Sequence, residues 1–288
     1  MLGILAALGA LLSWGFGDFS IQRATRAFGD VRTLIFIGLA GIIGLFPFVY
    51  DEIVPLLADR GRMLLLVVTG LVVFVAAILD FEALKQGKIA VIEPVLAFEL
   101  PVAVALSTVF LSEQLTPMQL GLSAATFGGI VLSVTQHHSH LHYHHRLLEP
   151  GVILAMAGAI VMGGVNFLVG VSSQQTSPLM AIWFTNVIFT VLSLAYLVWR
   201  GDVYGLFRGV RQRPGPVIAV CVLDNLAWIF YAFAASLIPI AIATTISESY
   251  IALAVLLGLV INKEKLQKHQ LAGVVIAVLA VILLSFTL

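Results

Sequence analysis

Cysteine is nearly absent from this chain. Cys221 is the only one and lies in an apolar stretch, which excludes a disulfide framework and a cysteine metal site. Charge is scarce too: Asp, Glu, Lys and Arg make up 10% of the 288 residues, where a soluble domain carries roughly 25%. The charges that remain cancel to a net of zero, so nothing favours nucleic acid or another polyanion as a partner. No phosphate-binding loop, nucleophile elbow or His-Glu-x-x-His pair occurs, and this leaves no recognisable enzyme constellation and no expected cofactor.

What is abundant is apolar sequence, at 60% of residues. It recurs in blocks of about 20 residues, the length a helix needs to cross a bilayer core. In lipid the backbone must bond within its own segment, so such blocks read as helices. Ten are expected, near 2–20, 32–50, 63–84, 89–111, 118–135, 151–170, 179–199, 216–237, 240–261 and 269–287. Breaker signals such as Thr116-Pro117, Ser177-Pro178 and Arg213-Pro214-Gly215-Pro216 separate several of them. The first block resembles a signal-peptide core but lacks a preceding basic residue. Its Gly9-Ala10-Leu11-Leu12 is echoed by the internal Gly158-Ala159-Ile160-Val161, so it reads as a retained membrane helix.

The second half repeats the first. Leu111-Ser112-Glu113-Gln114-Leu115 with Gln119-Leu120 aligns with Ile261 to Leu266 and Gln270-Leu271, and the same 151-residue offset pairs Ile89-Ala90 with Ile240-Ala241. Five helices per copy is an odd number, which inverts the second copy in the membrane. The expectation is an all-α integral membrane protein of ten transmembrane helices in two inverted five-helix repeats. Residues 1–136 form one repeat, 137–150 a His-rich linker and 151–288 the other. Sorting the 15 Lys and Arg residues by side leaves only Arg60 and Arg62 on one face. The positive-inside rule makes the other face cytoplasmic, with the 137–150 loop, and puts both termini outside.

The helix ending in Leu-Ser-Glu-Gln-Leu-Thr-Pro-Met-Gln-Leu-Gly (111–121), followed by a span with Gly128-Gly129, resembles the EamA-type drug/metabolite transporter superfamily over almost the whole chain. The resemblance implies a ten-helix permease of the plasma membrane that moves small metabolites, amino acids or xenobiotics, often as efflux. Members commonly keep their termini in the cytoplasm; the charge bias here departs from that.

Acids inside the membrane carry the chemistry. Glu99, Glu248 and Asp224 lie well inside the fourth, ninth and eighth spans. Each costs roughly 2.5–3.5 kcal/mol on the insertion scale if lipid-facing, so they are expected to face the bundle interior or a hydrated cavity. No Lys or Arg lies at matching depth. Thr244 and Thr245 share a helix face with Glu248, with Tyr250 close by; Asp224, Trp228 and Tyr231 share another; Trp14 and Asp18 are four apart on the first span. Carboxylates beside aromatic faces suit organic cations. Pro94 and Pro101 flank Glu99 and free backbone carbonyls there, as in the interrupted helices of carrier binding sites. Hydrogen bonding between helices is the competing role for these acids. Asn166 and the Trp183–Asn186–Thr190 face are candidates to line the same cavity, with core packing the alternative.

Asp80, Glu82 and Glu93 lie close in depth to Lys85 and Lys88 and are expected to form a cytoplasmic gate. Glu113 and Glu264 are expected to cap the helix that follows each of them. The glycines at 38, 41, 44, 128 and 129 are read as permitting close helix contact. His137, His138, His140, His142, His144 and His145 form a tract that reads first as a solvated linker and second as a metal-binding site. The leading function is a secondary carrier, exporter or exchanger, of a small metabolite or amphiphilic cation or zwitterion, coupled to protons at Glu99 or Glu248. The alternatives are a divalent metal carrier and a non-transporting membrane subunit that partners a lipid-carrier flippase. Expected partners are a small-molecule substrate and the bilayer, with a homodimer left open.

Overall fold

A computed structural model describes residues 1–86, 95–135, 150–203, 214–253 and 267–287, with backbone alone at 18–19, 22–23, 26, 84–86, 150, 152 and 216. Among these residues there are ten helices and no strands: α1 (Leu2–Phe28), α2 (Asp30–Ala58), α3 (Arg60–Gln86), α4 (Glu99–Phe110), α5 (Pro117–Val134), α6 (Pro150–Gln175), α7 (Pro178–Trp199), α8 (Pro214–Leu237), α9 (Ile240–Glu248) and α10 (Lys268–Ser285). Seven of them, α2, α3, α5, α6, α7, α8 and α10, are long and apolar enough to cross a membrane; the apolar stretches of the other three are shorter.

Local chemistry sets several boundaries. Thr116 caps α5 through a reciprocal pair: its hydroxyl accepts from Gln119 N at 3.2 Å, and Gln119 Oε1 accepts from Thr116 N at 2.9 Å. Pro117 then occupies the first helical position, where its missing N–H costs nothing. Gln267 and Gln270 make the corresponding box on α10, and Ser177 caps α7 by accepting from Met180 N at 3.1 Å. The first connection shrinks to one residue: Gly29, at φ 84°, turns the chain between α1 and α2, a backbone region that favours glycine.

α1 packs most extensively on α8, α3 on α6, α2 on α7 and α5 on α10, while α4 lies against α6 and α9. The α5–α10 pair is close because two glycines face each other. A Cβ on Gly129 would fall 2.7 Å from Ala277 N, and one on Gly273 would fall 2.6 Å from Gly129 O. Gly38 and Gly41 are likewise filled against α7 and α8, whereas Gly44 and Gly128 face nothing within 4 Å. The outer surface is apolar, with Ile43, Phe48, Ile160 and Ile218 exposed. Thr126, Asn166, Ser172, Thr190 and Thr244 are buried. A chain that hides polar groups and exposes apolar ones is built for a lipid surround.

Polar links join helix ends expected on the same membrane face. Arg32 bonds both oxygens of Asp202 at 2.7 Å, and the ring of His269 meets Thr135 O at 2.7 Å; all four fall on the Lys/Arg-rich side. On the opposite side Ser177 donates to Glu52 at 2.7 Å.

Two expected spans are not single helices. The span expected at 89–111 breaks at Ala97–Phe98, just before α4, and the one expected at 240–261 breaks at Ser249, just after α9. The breaks use the same bonds 151 residues apart. Phe98 N donates to Val95 O at 3.1 Å and Ser249 N to Ile246 O at 3.3 Å; Val102 N then returns to Phe98 O and Leu253 N to Ser249 O. A local switch to i→i−3 bonding tightens the turn and ends the regular helix.

Candidate functional site

The two breaks deliver their acids to the same place. Glu248 is the last residue of α9 and Glu99 the first of α4; both are buried, Glu248 at 3% exposure. The Glu99 carboxyl comes alongside that of Glu248 within hydrogen-bonding reach. Carboxylates offer only acceptors, so neither gives the other a donor unless the pair holds a proton.

Asn166, from the middle of α6, supplies the donor: its Nδ2 bonds Glu248 Oε1 at 3.1 Å. Tyr231 on α8 spans the next gap. Its hydroxyl donates to Asn166 O at 2.8 Å and pairs with Thr244 Oγ1, also at 2.8 Å. One residue on, Thr245 bonds Ala241 O within α9 and Ser123 Oγ on α5. The network therefore links α5, α6, α8 and α9 through side chains excluded from solvent.

Four aromatic rings close one side of it. Trp14 lies centrally, with ring centroids 5.1 Å from Trp228, 6.0 Å from Tyr231 and 5.9 Å from Tyr250. Trp228 and Tyr231 stand at 5.9 Å, nearly perpendicular. Such edge and tilted contacts are the favoured arrangements of aromatic pairs. Two polar atoms in this setting take no hydrogen bond from a described residue: Glu248 Oε2 and Asn166 Oδ1, both buried.

Glu99, Glu248, Asn166, Thr244, Trp14, Trp228, Tyr231 and Tyr250 thus come together in the bundle, Trp228 and Tyr250 half-buried and the other six buried. Asp224 sits one turn of α8 from Trp228, half-buried, and no hydrogen bond joins it to the Asn166–Glu248 pair. The side chain of Asp18 lies outside the described residues. Of the expected gate, Asp80 on α3 stands against Gly158 of α6, where a Cβ would collide with its carboxylate, and Glu82 is half-buried. Glu93, Lys88, the Lys85 side chain, Glu264 and the histidine tract lie outside the described residues.

Two expectations are corrected. The Trp183–Asn186–Thr190 face does not reach this cluster. Trp183 donates to Ile42 O, Asn186 donates to Asn225, and Thr190 packs at Gly38, so this face binds α7 to α2 and α8. Glu113 does not cap α5, whose start belongs to Thr116; its carboxylate caps α9 instead. Asn225 bonds Ile37 O and Cys221 O besides Asn186; its signal in the sequence is an amide within an apolar helix. At the end of α2, Asp51, Glu52, Arg62 and Thr176 help line a cavity of about 220 Å³, below the roughly 300 Å³ usual for a small-molecule site. Among the described residues no three of His, Cys, Asp and Glu gather as a metal site would require.

The fold and its apolar exterior define a multi-pass membrane protein. The chain belongs to the EamA-like transporter family, whose model matches residues 1–135 and 149–286, and so to the drug/metabolite transporter superfamily. A crystal structure 14% identical in sequence superposes with a TM-score of 0.76, covering 99% of this chain and 96% of that one; at that identity the likeness is one of fold. No curated protein matches the chain.

Proposed function

We propose that the protein is a secondary carrier that moves a small amphiphilic organic cation or zwitterion by alternating access, with Glu99 and Glu248 at its centre. The observation that carries this reading is the convergence of two helix breaks, 151 residues apart in sequence, on one buried pair of acids walled by Trp14, Trp228, Tyr231 and Tyr250. Breaks of this kind expose backbone groups, which is tolerable at membrane depth only where protein or a cavity receives them.

The same offset supports an inverted repeat as the scaffold. The helix pairing is unchanged when the halves are exchanged: α1 with α8 becomes α6 with α3, and α2–α7, α4–α9 and α5–α10 map onto themselves. Rocking one helix set against the other around a fixed site is how such repeats alternate access. Burial of Glu99 and Glu248 fits an occluded state of that cycle. Proton exchange follows from the acids: a proton on the Glu99–Glu248 pair and a cationic guest neutralise the same charge, so one leaves as the other binds. This couples export or exchange to a proton gradient across the plasma membrane, with the 137–150 loop in the cytoplasm.

Thermal unfolding of the purified protein with amines, amino acids and divalent metals tests the substrate class. A ligand that binds the native state raises the melting temperature. Stabilisation by amines or zwitterions is the expected result; stabilisation by metal ions alone would overturn the reading.

A further inference from the structure

We infer that the site selects a cation carrying at least two N–H bonds, as a primary ammonium does, and rejects quaternary ammonium ions of the same shape. This rests on the proposed transport of organic cations and narrows it. The argument lies in the hydrogen-bond inventory around Glu248.

Among the described residues, Asn166 and Glu248 leave two buried atoms without hydrogen-bond partners, Oδ1 of the amide and Oε2 of the carboxylate. Both are acceptors. The amide is fixed in its orientation by the 3.1 Å bond from Nδ2 to Glu248 Oε1, because a carboxylate accepts and does not donate. The two unpartnered atoms therefore belong to one bonded pair of side chains.

The hydroxyls of Tyr231, Thr244, Thr245, Ser247 and Ser249 already have partners. Tyr231 and Thr244 bond each other, and Tyr231 also bonds Asn166 O. Thr245 bonds Ala241 O and Ser123 Oγ, while Ser247 donates to Thr244 O and Ser249 to Ile246 O. A guest with N–H groups can supply Oδ1 and Oε2 with donors that these hydroxyls do not offer. A primary ammonium offers three N–H bonds and a positive charge; a trimethylammonium offers the charge alone. The surrounding rings accept either through cation–π attraction, so the acceptors, not the rings, set the discrimination. Leaving a buried polar group unpaired costs about 1–3 kcal/mol, roughly a ten- to hundredfold loss of affinity.

The test titrates the unaltered protein in detergent with phenethylammonium and with its N-trimethyl analogue, read by tryptophan emission because Trp14 and Trp228 flank the site. The expected result is a dissociation constant at least about tenfold lower for the primary ammonium, with the preference diminished in Asn166→Leu protein whose unliganded melting temperature shows it folded. Equal affinities would overturn the selection rule while leaving the cation reading intact. Binding of neither would remove the cation reading and this inference with it.

Discussion

The Glu113 carboxylate, in the link between α4 and α5, accepts the backbone N–H of Ile240 at 2.6 Å, and that of Ala241 at 3.1 Å. Pro239 precedes α9 and brings no side-chain acceptor of its own. The exposed N–H groups and the positive end of the helix dipole therefore recruit an anion from 127 residues away. This ties the end of one half to the start of the broken helix in the other, at a single membrane face.

Glu113→Ala is expected to lower stability by about 1–3 kcal/mol, the range for losing a charge-assisted bond to a helix terminus. Glu113→Gln, which keeps one acceptor, should lose less. Thermal melts of both purified variants read the order; equal melting temperatures for wild type and Ala would contradict the cap.

Gly129→Ala is predicted to be destabilising, by about 1–3 kcal/mol of overpacking, because its Cβ would meet the backbone of α10 at Gly273 and Ala277. Gly128→Ala is the matched control, with open space at the same helix turn, and should be neutral or slightly stabilising. Matching losses in the two variants would rule out the glycine contact as the reason.

Tyr231→Phe removes the hydroxyl that joins Asn166 O to Thr244. Stripping it leaves Asn166 O short of a donor and the Thr244 hydroxyl short of an acceptor and should cost about 1–3 kcal/mol, with ring packing on Trp14 preserved. Chemical unfolding compared with wild type measures this; an unchanged midpoint would mean the network contributes nothing.

Asp202→Asn breaks the ion pair with Arg32, whose side chains are 27% and 56% exposed. Exposed pairs contribute about 0–1 kcal/mol, so a small shift, shrinking further at high salt, is expected. A loss as large as that of Glu113→Ala would show that the pair is far better shielded than its exposure implies.

The sequence made much of this legible, and physics explains which parts. Acids in apolar blocks stand out because their burial is costly, and three-residue spacing puts Trp228 and Tyr231 on one face of α8, where their rings meet at 5.9 Å. Spacing says that residues share a face, though not which neighbour the face meets, and so Trp183, Asn186 and Thr190 fit cavity lining and core packing equally by sequence, and packing is what they do. Pro94 and Pro101 announced a break near Glu99. Nothing in Ile246-Ser247-Glu248-Ser249-Tyr250 announces the equivalent break at Ser249; only the repeat alignment points to it. Capping rules are local and point Glu113 to α5, while the helix it serves, α9, is near only in the folded chain.

Proton-driven flux through reconstituted protein tests the central claim most directly. Proteoliposomes holding wild type, Glu99→Gln or Glu248→Gln are loaded with phenethylammonium, and its movement is followed under an imposed pH gradient. The account predicts that wild type couples flux to the gradient and that both substitutions abolish the coupling in protein that remains folded. Full pH-dependent flux in either variant would contradict it.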